Sequence, residues 1–493
     1  MRRTNSQNML LWNGWYSIGL LGILSTAILA MGIDMFGFSV ILTGATCDFK
    51  LDMVQTSILL SMPFVGPIVM AYPWGYISDT QGRKISLLVG LWVSFVATII
   101  SAFSPHWILM AILKFISTSF CSCAQSAAYT MLGECITEKV RDPFMLVMSS
   151  VLDFSLAIYI VISYFILNMD FAIDLDIITF APWRLLTIVL GLPLGLAAFG
   201  MHFFYESPKF MLNAGRHAEA IDSLRAIWRS NGGAKGKYPV NRVFLDEEGN
   251  TRCKELPLLQ SLWEQILPLF RPPLLKRSLQ LYFITAIIFS TNNSYFMWFP
   301  YLAGKFVSSL SSMSGDGETD SLCNVINSGA NVTGDVTCSS HMEISLVWTS
   351  LAQGTSFVVV LLGITKLAHR KRTLMFVILL SSSVCATVAV LVNNMITSFV
   401  MFFGLLINEL CVAFIFSYFV DFYPTSYRGM AACIGVMVAR GSALGGVNLL
   451  GAYILSKCSA TFYTCSVLNF GAALITLTLP PDKPRISLSD NRS

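Results

Sequence analysis

Charge is what this chain has least of. Only 12% of its 493 residues are Asp, Glu, Lys or Arg, about half the share of a soluble domain, which excludes an ordinary water-facing surface. The G-x-x-x-x-G-K-[ST] phosphate loop is absent, so nothing points to ATP hydrolysis. The 12 cysteines show no metal-ligand spacing, and no nucleophile–base pair sits in a defining motif. No enzyme activity, cofactor, metal or nucleic-acid partner is therefore expected. A cleavable signal peptide is also missing. The first apolar run is too long for an h-region, and no A-x-A-like site follows it, so it reads as an uncleaved first span.

What the chain has instead is apolar sequence. Hydrophobic residues make up 55%, and mean hydropathy is +0.66. At about twenty residues per crossing, twelve spans are expected: 15–43, 53–77, 85–104, 107–134, 144–168 and 184–205, then 278–302, 342–366, 373–393, 396–420, 429–455 and 459–479. The expected fold class is an all-α polytopic membrane protein of twelve transmembrane helices in the lipid bilayer. The net charge of +4 says little about partners, because the charges are segregated by connection. With both termini in the cytosol, the basic residues of the tails, of the short even-numbered connections and of segment 206–277 fall inside. The opposite face keeps only Lys50, Arg184, Lys305 and Lys457. That asymmetry follows the positive-inside rule, in a plasma or intracellular vesicle membrane.

One local pattern occurs twice. Glu134 precedes Arg141 by seven residues, and Asp421 precedes Arg428 by seven, each where the fourth span of a half ends. Seven residues are about two helical turns, so in a helix acid and base would share a face. The repeat suggests duplicated six-helix halves around a midplane site, as in secondary transporters. The expected organisation is an N-terminal half over 1–205, a cytosolic linker over 206–277, a C-terminal half over 278–479 and a cytosolic tail over 480–493. The linker contains an amphipathic stretch, His217 to Trp228. The non-cytosolic loop 303–341 holds Asn331-Val332-Thr333, a glycosylation acceptor. Cys323 and Cys338 share that loop, in a compartment where a disulfide can persist.

Between the second and third spans the sequence reads Gly75-Tyr76-Ile77-Ser78-Asp79-Thr80-Gln81-Gly82-Arg83-Lys84. It resembles the signature loop of the major facilitator superfamily, with Thr80 where that family usually has Arg. Glu206-Ser207-Pro208-Lys209-Phe210, Trp183-Arg184 and Asp421-Phe422-Tyr423-Pro424 resemble segments of sugar and organic-ion porters. Between spans eight and nine only the basic run His369-Arg370-Lys371-Arg372 of the counterpart loop survives. The resemblance looks closest to the synaptic vesicle glycoprotein 2 branch and its related transporters. It implies gating roles for Gly75, Asp79, Gly82, Arg83, Lys84, Glu134, Arg141, Glu206, Asp421 and Arg428. It matches Asp34 to an acidic position of span one and Arg440 to a basic position of span eleven. Gly37 stands where the family has a second span-one acid.

Ionisable residues inside spans are site candidates because burying them in hydrocarbon costs several kcal/mol unless they pair or meet water. Asp34, Lys114, Asp153, Glu409 and Arg440 qualify. Asp153 and Glu409 could equally pair with a basic neighbour and hold two helices together, and Lys114 is close enough to the outer end to snorkel. Span seven carries Thr291, Asn292, Asn293, Tyr295 and Trp298, a density that suggests a wet cavity. Gln125, Tyr129, Asn408 and Asn448 add hydrogen-bonding groups. These residues imply a monomeric transporter of a small organic solute, working by alternating access, with proton or other ion coupling open. Arg440 favours an organic anion or zwitterion, since guanidinium suits a carboxylate. The alternative is a non-transporting membrane binding or trafficking protein.

Overall fold

A backbone in hydrocarbon must satisfy its N–H and C=O groups internally, and every long apolar run here does so as helix. In this computed structural model, the described residues are 14–232 except 137, 175 and 177; 243; 266–312 except 273; 322, 323, 326 and 342; and 344–480 except 366–369 and 424. The chain is an all-α polytopic membrane protein, with one two-residue hairpin, β1 (Ile173–Asp174) on β2 (Thr179–Phe180). Its helices begin with α1 (Trp15–Phe36), α2 (Phe38–Phe49), α3 (Met53–Gln81), α4 (Arg83–Ser101), α5 (Trp107–Cys121), α6 (Cys123–Cys135), α7 (Glu138–Leu167) and α8 (Pro182–Met201). Two short helices follow, α9 (Pro208–Asn213) and α10 (His217–Ser230). The remainder are α11 (Leu275–Ser312), α12 (Ile344–Thr365), α13 (Lys371–Leu391), α14 (Met395–Leu406), α15 (Cys411–Phe422), α16 (Thr425–Tyr453) and α17 (Cys458–Leu477). Among the described residues, nine helical stretches are long and apolar enough to cross a membrane. The expected seventh, eighth and tenth spans are also helical, as α11, α12 and the α14–α15 pair.

The helices form two units, one of residues 1–50, 62–254 and 340–342 and the other of 51–61, 255–339 and 343–493. In the first, Leu20, Leu24 and Ile28 of α1 pack with Leu87 and Leu91 of α4, Ala124, Ala127 and Ala128 of α6, and Leu194, Ala197 and Ala198 of α8. The alanines let the backbones approach closely, the usual basis of helix association in lipid. In the second, α11 and α16 make an intimate pair. A Cβ on Gly446 would fall on the Ser290 carbonyl and the Ser294 hydroxyl, so glycine is required there. Phe306 stacks on Phe399 at 3.8 Å between ring centroids, and Phe402, Tyr295 and Phe462 extend that aromatic layer.

Three spans are irregular at mid-length. The first has a one-residue irregularity at Gly37, between α1 and α2, and the fourth one at Ser122, between α5 and α6, though both residues keep right-handed helical dihedrals. The tenth passes through a 3-10 turn, Ile407–Leu410, between α14 and α15. The two units repeat one bond beside these irregularities: the Ser94 hydroxyl donates to the Ser117 carbonyl at 2.8 Å, and the Ser382 hydroxyl to the Leu405 carbonyl at 2.7 Å, each across 23 residues.

The seven-residue acid–base spacing does not lie on one helix. Glu134 closes α6, Ile136 is extended (φ −117°, ψ 151°), and Arg141 belongs to α7. In the same way Asp421 lies on α15, Tyr423 is extended (φ −106°, ψ 136°), and Arg428 belongs to α16. Pro424 gives the physical reason in the second copy, since the residue before proline is pushed out of the helical region. Both copies therefore mark a bend.

Candidate substrate and coupling site

In the first unit, three helices converge on Asp34. Its Oδ1 accepts from Lys114 Nζ at 2.7 Å and from the Thr98 hydroxyl at 3.2 Å, while Oδ2 accepts from the Ser117 hydroxyl at 3.0 Å. Lys114 Nζ also donates to the Asp34 carbonyl and sits 4.9 Å from the Phe38 ring centroid. Asp34 is 6% exposed and Lys114 5%. Of the two readings open for Lys114, the structure therefore has the side chain turned inward and not snorkelling outward. A carboxylate, a backbone carbonyl and an aromatic face at the same depth hold the ammonium inside. The knot ties α1, α4 and α5 together.

The second unit places a different chemistry at its own irregular turn. Glu409, in the 3-10 turn, accepts from Asn292 Nδ2 of α11. Arg440 of α16, 6% exposed, lies 5.9 Å from the Phe289 ring centroid, and Glu409 and Arg440 attract each other electrostatically. Asn408 Nδ2 donates to the Thr291 hydroxyl at 3.0 Å and approaches Asn469 Oδ1 at 3.5 Å. Asn469 Nδ2 reaches the Ser382 hydroxyl at 3.2 Å. This chain of neutral groups joins α11, α13, α17 and the turn where the first unit uses an ion pair.

Not all candidates converge. The span-seven residues were expected to line a wet cavity, yet Thr291, Asn292, Asn293, Tyr295 and Trp298 are all 5% exposed or less. Asn293 donates to its own helix at Phe289, Trp298 Nε1 donates to the Val447 carbonyl at 3.2 Å, and the Tyr295 ring lies between Phe402 and Phe462. Asn448 donates to the Ser61 hydroxyl at 2.6 Å and the Leu444 carbonyl at 2.8 Å. Gln125 and Tyr129 lie on α6 beyond Ser122, Tyr129 against the apolar core. Asp153 lies on α7, but its side chain, like those of Asp79, Arg141, Asp421 and Arg428, is outside the described residues. So is Asn331. Two buried amides were missed. Asn469 is fully buried, and Gln353 of α12 is 2% exposed with both amide atoms unpartnered. Each is a lone amide in an apolar run, the signal that picked out Asn408.

The loop between α3 and α4 has a clear internal logic. Gly82 has φ +116°, and a Cβ there would fall on the Glu206 carboxylate. That carboxylate caps the start of α4, accepting from the Arg83 amide at 3.0 Å and the Lys84 amide at 3.0 and 3.1 Å. Glu206 Oε1 also accepts from the Ser207 amide at 2.9 Å. Arg83 turns inward to the Ser78 carbonyl at 3.0 Å and to Glu134, with Nε 3.3 Å from Oε2. Glu134 also accepts from the Ser207 hydroxyl. Gly75 lies within α3. Arg184, expected at a span edge, is 3% exposed and donates to the carbonyls of Ala102, Ser104 and Thr179 at 2.9 Å each. The Ala102 and Ser104 carbonyls just past the end of α4 and the Thr179 carbonyl of β2 need donors, and the guanidinium supplies several at once.

The disulfide expectation is also corrected. Cys323 is bonded to Cys458, at the start of α17, with Cα atoms 5.5 Å apart. Cys338 lies outside the described residues. The two sulfurs are 135 residues apart in sequence, so proximity within one loop was the wrong guide.

The profile of the Major Facilitator Superfamily matches residues 23–322. Synaptic vesicle glycoprotein 2C of Mus musculus is 24% identical over 315 residues, 58% of this chain and 42% of that protein. Organic cation/carnitine transporter 7 of Arabidopsis thaliana is 27% identical over 218 residues, 44% of this chain and 41% of that protein. The matches thus span less than half the length of these curated relatives. The inward open conformation of the xylose transporter XylE from E. coli superposes with a TM-score of 0.64, covering 96% of this chain and 98% of that one, at 14% identity. That likeness is one of fold.

Proposed function

The chain belongs to the Major Facilitator Superfamily, and we propose that it is a secondary active transporter that carries a small organic solute across a membrane by alternating access. The observation that carries this reading is the Asp34–Lys114 pair, buried at mid-span. Ionisable groups at such depth mark ion and substrate pathways. The geometry supports coupling to protons. A proton on Asp34 would remove the negative charge that holds Lys114, Thr98 and Ser117, loosening three helices at once. A solved relative in fold is titled a D-xylose-proton symporter, which supports the same coupling. In this reading residues 1–205 and 278–479 are the two halves of one monomeric carrier, the segment 206–277 and both termini are cytosolic, and the basic residues set that orientation.

The test is uptake by the full-length protein in proteoliposomes against a metabolite panel, with and without an inward proton gradient. Asp34→Asn is expected to abolish stimulation by the gradient while leaving solute exchange at equal pH intact. Full gradient stimulation in Asp34→Asn would refute the coupling, and absence of any protein-dependent uptake would refute transport.

A further inference from the structure

Where α4 and α5 lie side by side in the first unit, they leave an open groove of about 380 Å³. Trp92, Val96, Ala97 and Ile100 of α4 and Leu113 and Ile116 of α5 line it. These side chains are apolar apart from the Trp92 indole N–H, which donates to His202 Nε2 at 3.2 Å. A polar solute would find no side-chain partner there, and burying its groups unpaired is costly. Ala97, 5% exposed, forms the floor, while Val96 and Ile100, each 50% exposed, stand on the rim. By helical spacing Val89 shares the face of Val96 and Ile100, and Ile112 that of Ile116; both are exposed. The groove is thus continuous with the surface that α4 and α5 turn to the bilayer. Its depth is informative. Eight residues separate Trp92 from Ile100, about 12 Å of helix, and Ile100 is next to last in α4. The groove therefore runs from one edge of the span to its middle, close to half of a hydrocarbon core of about 30 Å. A partner's spanning helix would need the whole depth. One acyl chain of one leaflet needs half.

We infer that this groove is a lipid site, filled by one acyl chain of a phospholipid from the leaflet that meets the α4–α5 connection. The inference rests on the membrane-spanning fold and stands whether or not the protein transports. The chain lies behind the Asp34 knot. Thr98 and Ser117 follow Ala97 and Ile116 in sequence, their hydroxyls lie 2.9 Å apart, and both donate to the Asp34 carboxylate. A chain packed on Ala97 and Ile116 holds α4 against α5 behind those hydroxyls, through dispersion contacts that a void cannot supply. The ligand thus braces the two helices that position Asp34 and Lys114, without touching either residue's charge.

Photolabelling tests the site. The full-length protein is reconstituted in phosphatidylcholine vesicles doped with phosphatidylcholine that carries a diazirine midway along one acyl chain, then irradiated and mapped by peptide mass spectrometry. Residues 92–100 and 113–116 are expected to take more label than Leu192, Leu196 and Phe199 of α8, which are at least as exposed as the rim. Val96→Trp and Ala97→Leu fill the groove from rim and floor, and each should cut the label on α5 about tenfold. Label on α8 should not change in either variant, which shows that the fold is kept. Label spread over α4, α5 and α8 in proportion to exposure would overturn the site. Groove label displaced by cholesterol or oleate, but not by unlabelled phosphatidylcholine, would overturn the phospholipid assignment. The bracing role has its own readout. Phosphatidylcholine added to the delipidated protein should raise the unfolding temperature of the wild type more than that of Val96→Trp, whose indole already fills the groove. An equal rise in both would overturn the brace.

Discussion

Two residues carry consequences out of proportion to their size. Lys114 is the counter-charge of a carboxylate that otherwise has only hydroxyl donors, from Thr98 and Ser117. Removing one member of a buried pair costs about 3–5 kcal/mol, because the other charge is stranded. Lys114→Met should lower stability by that order in thermal unfolding of the detergent-solubilised protein, and Asp34→Leu added to it should recover most of the loss. Equal stability of single and double variants would show the pair to be energetically idle. Gly82 is the second. Its φ of +116° and the Glu206 carboxylate against its Cα admit no side chain, so Gly82→Ala should cost about 1–3 kcal/mol. Glu206→Ala removes the same helix cap. The double variant should therefore lose little more than either single, since contacting residues that act through one interaction are not additive. Additive losses would mean that Gly82 and Glu206 act separately.

At the scale of elements, the first helix is capped from far away. α1 begins at Gly14 with no side-chain cap of its own, and Asn231, at the end of α10, accepts from the Tyr16 and Ser17 amides at 2.9 and 3.3 Å. α10 buries Ala220, Leu224, Ile227 and Trp228, so its amphipathic face anchors the residue that closes α1. Asn231→Ala should cost about 1 kcal/mol, as loss of an N-cap does. Hydrogen exchange should quicken in the first turn of α1 and the last turn of α10, and stay unchanged in α4; uniform quickening would argue against a local cap. The α10 helix itself was legible in its periodicity, as were the spans and the depth of Asp34, Glu409 and Arg440. What could not be read was direction. Whether Lys114 snorkels or turns inward depends on Asp34 and Phe38, 80 and 76 residues away in sequence. The acid–base repeat was visible, but the bend inside it depends on Ile136 and Tyr423 leaving the helical region. Gln353 is a lone amide in an apolar run, and its burial without a partner is what sets it apart from the other span amides.

At the scale of the whole molecule, sulfur chemistry reports sidedness. Cys323 follows the seventh span, Cys458 follows the eleventh, and the disulfide between them requires both on one side of the membrane. Odd-numbered spans all exit on the same side, so the bond agrees with twelve crossings whichever way the protein faces. Cys47, after the first span, is disulfide-bonded too. The cysteines that remain free among the described residues, such as Cys121, Cys385, Cys411 and Cys465, all lie within helices. Disulfides persist in oxidising compartments and are rare in the cytosol, which supports the proposed orientation, with the exits of odd spans outside and both termini within, that the basic residues also favour. On the proposed topology a glycan on Asn331 would lie on that side and Cys253 in the cytosol. The full-length protein in intact cells, treated with an impermeant reductant and then an impermeant maleimide, should gain label at Cys323 and Cys458 and none at Cys253. Asn331→Gln should abolish the glycosidase-sensitive mass. If the vesicle membrane is its home, the same labelling needs permeabilised cells, with Cys253 then reacting before any reductant is added. Labelling of Cys253 from outside intact cells, or a persistent glycan in Asn331→Gln, would invert or break the proposed topology.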